Sequence, residues 1–259
     1  MMLYLSQIRS LSLNVWREAV RDRLVHLLAG SGIFLMIFSL VLGRMAVGGG
    51  DRVLQSSGFW IMGIWGLLAV LYLGSGIIRN EISRKTVYLI LSRPVSRPVF
   101  LAGKFIGMLM VLFSAFVILA SAWLILMNMA GIKTGWLHFG ALLFIFGEWI
   151  LMAAVSLCFA SFTSPLLHNF FLTGISFLGH WSNDLRIYSE NVNDVIFRYI
   201  LKGLYYLLPN LEALNFREAV LYAQPLDVSV MTAGAGVLLC WMLVFLISAN
   251  LIFVNRKLI

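Results

Sequence analysis

The chain delivers its hydrocarbon in long uninterrupted blocks, and nothing else in it restricts the fold so tightly. Apolar runs occupy Leu24 to Gly43, Gly58 to Ile78, Phe105 to Met129, Phe139 to Phe162, Pro165 to Trp181 and Val228 to Val254, separated by short charged or Pro/Gly-containing stretches. A helix needs about 20 apolar residues to cross a bilayer, so every block except the fifth is long enough by itself. Of the 259 residues, 61% are hydrophobic and 12% charged, with a mean hydropathy of +0.94; soluble domains run at about 45–50% apolar and 25% charged. A soluble fold could not bury that much apolar surface. The expected class is all-α: a polytopic transmembrane helical bundle of about six spans, one domain over residues 1–259, with amphipathic interfacial helices.

The fifth block is short and is entered through His168 and Asn169. Topology supports it, because without it the C-terminal Arg256 and Lys257 and the N-terminal arginines would face opposite sides. With six spans and both termini cytoplasmic, the lysines and arginines divide as twelve inside and seven outside, the bias that orients membrane proteins. The inside set is Arg9, Arg17, Arg21, Arg23, Arg79, Arg84, Lys85, Arg93, Arg97, Lys104, Arg256 and Lys257. The outside acids nearly cancel the outside bases, so the formal net charge of +8 lies almost wholly on the inner face. Topology and anionic lipid account for that basicity, and nucleic acid is not expected as a partner. Cys158 and Cys240 sit inside apolar blocks and read as small hydrophobes. His26, His138, His168 and His180 show no metal-ligand spacing, so no metal site is expected.

Residues 1–23 read as a cytoplasmic amphipathic helix in the membrane interface: Ile8, Leu11, Val15 and Ala19 recur at helical spacing, with Arg9, Arg17 and Arg21 elsewhere on the wheel. Residues 182–227 read as an extracytoplasmic helical segment. Within it, Val192, Val195, Ile196, Tyr199, Ile200, Gly203 and Leu207 follow a helical period that Pro209 should end. A shorter helix is expected from Asn215, with Glu218 three residues on completing a capping box. The pair reads as an external hairpin or a re-entrant lid.

The loop 79–104 is the most informative stretch. The spacing predicts a short amphipathic helix over 80–91, ended near Pro94 and returned to the bilayer at Arg97-Pro98. Such a helix can transmit force between two spans or merely anchor a basic loop to phospholipid. The run Glu81…Thr86…Leu91-Ser-Arg-Pro-Val-Ser-Arg97…Gly103-Lys104 resembles the loop between the second and third spans in type-2 ABC-transporter permeases. The likeness extends to Glu18…Arg21-Asp22-Arg23, to Leu208-Pro-Asn210 before a helix containing Phe216, and to Phe253…Arg256-Lys257. Within that family the chain is similar to the small six-span permeases of nitrous-oxide-reductase maturation and gliding-motility systems. It departs from many relatives at Lys85, where they place glycine. The resemblance implies a coupling helix docked on a separate ABC ATPase subunit, with Glu81, Arg84, Thr86, Leu91, Pro94 and Arg97 at the contact. It further implies a second permease copy or a homologous permease, export as the direction, and residence in the inner (cytoplasmic) membrane. The chain has no G-x-x-x-x-G-K-[ST] phosphate loop, so ATP and its magnesium ion are expected on the partner and no cofactor on this chain. An extracytoplasmic partner protein fits the external helices.

Glu148 is the one carboxylate deep within a span, where an ionised acid costs about 2.5 kcal/mol or more. It is therefore a transport-pathway candidate; otherwise it sits protonated on a hydroxyl such as Ser114 or Ser121. Ser176 and His180, four residues apart, share a helix face and could form a Ser/His pair. That pair, with Glu148, defines the alternative of an intramembrane enzyme, and a membrane scaffold acting without an ATPase is the other. No G-x-S-x-G pattern supports the enzyme, and no catalytic residue is expected. Asn128 and Asn250, near span ends, read as structural. Gly74-Ser-Gly76, Gly103…Gly107 and Ala233-Gly-Ala-Gly236 permit close helix approach.

Overall fold

The computed structural model describes residues 2–46, 48–77, 96–222, 224 and 228–255. Among these the architecture is all helical. Helix α1 (Met2–Val20) leads through a tight turn into α2 (Arg23–Met45), which forms a hairpin with α3 (Gly50–Ile77). After the 78–95 stretch come α4 (Arg97–Met129), α5 (Trp136–Ala160) and α6 (Pro165–His180). Next are α7 (Ser182–Asn191), α8 (Val195–Leu207), a 3-10 turn at Glu212–Leu214, the short α9 (Arg217–Leu221) and α10 (Val228–Asn255). Five of these helices, α2, α3, α4, α5 and α10, are long and apolar enough to cross a membrane. The fifth block forms α6, whose 16 residues make a rod of about 24 Å at 1.5 Å per residue, short of a bilayer's roughly 30 Å.

Helix boundaries follow local chemistry. Asp22 caps α2, accepting the Leu24 N–H at 2.9 Å, while its other oxygen accepts the Tyr72 hydroxyl of α3. That ties the α1–α2 turn to the end of α3. Ser96 stands at the N-cap of α4 and Pro98 in its first turn, where a missing N–H costs nothing. Residues 97–104, grouped with the loop on sequence, are thus the first two turns of α4. Asp194 caps α8 through the Ile196 and Phe197 amides; the helix starts there, three residues later than the periodicity indicates, and stops at Leu207 before Pro209.

The core is built around α5, the most enclosed span, with 78% of its apolar window buried against 17% for α2 and 11% for α10. Trp149 of α5 packs its indole on Trp65 of α3 (centroids 5.3 Å) and edge-on to Phe116 of α4 (5.4 Å). Gly66 of α3 is required there, since a Cβ at that position would collide with the Trp149 ring. The stripe Leu11, Val15 and Ala19 of α1, assigned to the interface on sequence, instead faces α4: Gly103 lies under Leu11 and Gly107 under Val15. Lys104 is buried in α4, its ammonium 5.7 Å from the Phe100 ring centre.

Two contacts fix which ends lie together. Arg97 Nη1 donates to the Phe253 and Val254 carbonyls at 3.2 and 2.5 Å, and Phe100 stacks on Phe253 at 5.8 Å. The close of α10, the opening of α4 and the α1 helix therefore share one end of the bundle, called here the loop end because 78–95 joins α3 to α4 there. The α2–α3 and α4–α5 turns mark the far end.

Candidate functional site

Glu148 stands at the midpoint of the 25-residue α5 and is buried. Its carboxylate receives Arg217 Nη2 at 3.0 Å on Oε2 and faces His180 Nε2 at 3.3 Å across Oε1. Ser114 and Ser121, the hydroxyl partners considered on sequence, donate instead to carbonyls of their own helix, Val111 and Ile118. A serine hydroxyl in a helix readily bonds the preceding turn, whereas an ionised acid at this depth calls for a full positive charge.

Arg217 arrives from a segment that re-enters the bundle. Leu211 N–H donates to the Gly179 carbonyl at the end of α6 (3.1 Å), and Ser182 Oγ donates to Asn210 Oδ1 (2.7 Å). Phe216 then packs on Phe144 of α5 at 4.4 Å, and Arg217 reaches Gly63 of α3, where a Cβ would stand 3.0 Å from Nη2. Leu211, Leu214, Phe216 and Val220 are buried. Irregular backbone at membrane depth survives only where protein or a cavity covers it, and both are present here. The Asn215–Glu218 capping box does not form. Asn215 Oδ1 accepts the Arg217 N–H at 3.3 Å and its amide donates to Glu212 Oε1 at 3.0 Å, so the helix begins at Arg217.

His180 is held from both sides. Its Nδ1 donates to the Ser176 carbonyl at 2.9 Å, so the Ser176 hydroxyl is not its partner and the pair is no nucleophile–base dyad. With Nδ1 a donor, a proton must lie between Nε2 and Glu148 Oε1, on one or the other. The Glu148–Arg217–His180 cluster borders a cavity of about 730 Å³ between α3, α5, α6, α7 and the re-entrant segment. Trp60, Phe177 and Trp181 give it an aromatic wall; Asp184, Glu212 and Glu218 give it an acidic rim.

A second polar cluster lies nearer the loop end. Ser156 of α5 and His168 of α6 are both buried and share a hydrogen bond of 2.9 Å. His168 Nδ1 meets Asn169 Oδ1 at 2.9 Å, so Nδ1 donates and Nε2 accepts the Ser156 hydroxyl. Gly74 of α3 closes over the pair, with no room for a Cβ beside Ser156 Oγ. The triplet has no space for a substrate and pins α3, α5 and α6 together. The short α6 is thereby fastened to α5 twice, through His168 and His180.

Of the residues assigned to an ATPase contact on sequence, Glu81, Arg84, Thr86, Leu91 and Pro94 lie outside the described residues. Arg97 is described and caps the end of α10. Sequence reasoning found Glu148 but missed Arg217 as its counter-charge. The available signal was one arginine beside the Leu-Pro-Asn stretch, in a segment otherwise apolar enough to re-enter. Comparison with curated proteins yields no match. The helical bundle with its polar mid-depth site agrees with a family description, ABC-2 family transporter protein, that matches residues 6–258: the chain belongs to that family and is a multi-pass membrane permease component of an ABC transporter.

Proposed function

We propose that the chain forms the membrane path of an exporter, driven by a separate ABC ATPase that binds the 79–95 stretch at the loop end. In this reading the loop end is cytoplasmic, both termini lie on that side, and the membrane is the inner one. A second copy or a homologous permease completes the path, with ATP and magnesium held by the ATPase. The observation that carries the reading is the re-entrant segment bolted at mid-depth by Arg217 to Glu148 beside a cavity. Ionisable groups and broken helices at that depth mark transport routes. The coupling surface, Glu81, Arg84, Thr86, Leu91 and Pro94 with Arg97 at its edge, acts by position on the ATPase. Force applied there enters α3 and α4 directly, and the Gly74–Ser156–His168 contact passes it from α3 to α6 and so to His180.

Affinity purification of the tagged chain from native membranes, followed by identification of co-purifying chains and an ATPase assay, tests this. A stoichiometric ATPase, lost when residues 80–95 are scrambled with Arg97 kept, is the expected result. Recovery of the intact chain alone, with no nucleotide hydrolysis, would overturn it. Arg97 is spared because its loss would also loosen α10.

A further inference from the structure

The cavity beside Glu148 carries groups that find no partner among the described residues. Its volume of about 730 Å³ falls within the roughly 300–1,000 Å³ that small-molecule sites occupy, which sets the size of an occupant. One wall is aromatic: Trp60 of α3, Phe177 of α6 and Trp181 just beyond it leave 61%, 57% and 59% of their surface uncovered by protein. The rim is acidic, with Asp184 from α7, Glu212 from the 3-10 turn and Glu218 from α9.

No base answers those three acids. The two that line the cavity, Arg217 and His180, are both engaged by Glu148. Among the described residues none of Asp184, Glu212 and Glu218 stands in an ion pair, and Glu212 accepts only the Asn215 amide. Two hydroxyls are idle as well. A helical serine readily bonds the preceding turn, as Ser39, Ser57, Ser114 and Ser121 do here. Ser56 and Ser176 line the cavity instead, and their hydroxyls bond to none of the described residues, although Ser176 is only 7% exposed. Carboxylates, hydroxyl lone pairs and ring faces favour one kind of partner: a positive charge bearing N–H groups on an apolar body.

We propose that the cavity binds a protonated amine with an apolar ring body, its ammonium at the acidic rim and its body on Trp60, Phe177 and Trp181. Ring faces attract a cation within about 6 Å of their centres, and a cleft lined by one sign of charge gathers the opposite sign from solution. The Glu148–Arg217 pair cancels at the buried end, so the sign of the occupant is selected at the rim. A phospholipid headgroup suits the site poorly, because its phosphate would meet the same three carboxylates. The inference names the cargo class of the path proposed above and rests on that reading.

The test is binding of one ring system in two charges, protonated 9-aminoacridine and acridine-9-carboxylate. Each is titrated by fluorescence, without nucleotide, into the full chain with any co-purified partners in phosphatidylcholine nanodiscs, and empty discs are subtracted. The amine should bind saturably and the carboxylate should not bind at the same concentrations. Asp184→Asn combined with Glu218→Gln removes two exposed charges and should weaken the amine roughly tenfold, the scale of two screened charges near a ligand. Glu190→Gln, which removes an acid outside the cavity, should leave binding unchanged. No saturable binding of the amine, or equal binding of the carboxylate, would overturn the proposal without recourse to any variant. A double variant that binds like the parent, or an equal loss in Glu190→Gln, would overturn it too. An ATPase recovered without amine binding would remove this cargo and leave the path; amine binding without an ATPase would keep the site and remove the path.

Discussion

Arg217 and Glu148 meet where neither could stand alone, so the pair is tested by breaking it from each side. Removing one partner of a buried ion pair costs about 3–5 kcal/mol, because the other charge is left stranded, whereas replacing both by apolar groups is often neutral. Glu148→Leu and Arg217→Met should each lower the thermal unfolding midpoint of the purified protein, and the double variant should regain most of the loss. Additive losses would mean that the 3.0 Å contact contributes nothing as a pair.

Among the elements, α1 shows how far a pattern can be read and where it stops. The stripe through Leu11, Val15 and Ala19 announced an amphipathic helix and Gly103…Gly107 announced a close approach, yet nothing in either said that they meet. Periodicity identifies an apolar face; it cannot tell lipid from a neighbouring helix, since both accept the same side chains. The spans themselves were legible because hydrocarbon thickness sets a length that composition displays. Their starts were less so: α3 and α4 begin eight residues before the apolar blocks that announced them, because a helix continues into polar sequence wherever capping allows. Helix α7 was hidden altogether, its polar residues carrying no period. Gly107→Leu should separate α1 from α4, since a Cβ there would stand 2.6 Å from Val15 Cβ and 3.0 Å from the Ser12 carbonyl. Overpacking of this kind costs about 1–3 kcal/mol. Limited proteolysis should then cut within residues 2–20 of this variant but not of Gly174→Leu, where nothing lies within 4 Å. Equal resistance in both would show that α1 is held by other contacts.

For the whole molecule, the number of crossings follows from which ends share a side. Arg97 joins the start of α4 to the end of α10, and α1 lies on the first turns of α4, so both termini belong to the loop end. An even number of passes is required to return there. Helices α2, α3, α4, α5 and α10 supply five, and the sixth must come from the chain between Ala160 and Val228. The 16 residues of α6 cover the loop half of that distance, from the Ser156–His168 bond to the level of Glu148. The α7–α8 hairpin and the re-entrant segment complete the rest, so one crossing is shared among several short pieces, and the site lies where they join. Reporter enzymes fused to either terminus should give the same sidedness, and a reporter inserted at Gly48, between α2 and α3, the opposite. If the two termini report opposite sides, α6 does not lead the chain across, and the mid-depth placement of Arg217 fails with it. If they agree, the short sixth pass is real, and the re-entrant segment that completes it brings Arg217, Glu212 and Glu218 to the cavity beside Glu148, so charge at that depth comes with the broken pass itself.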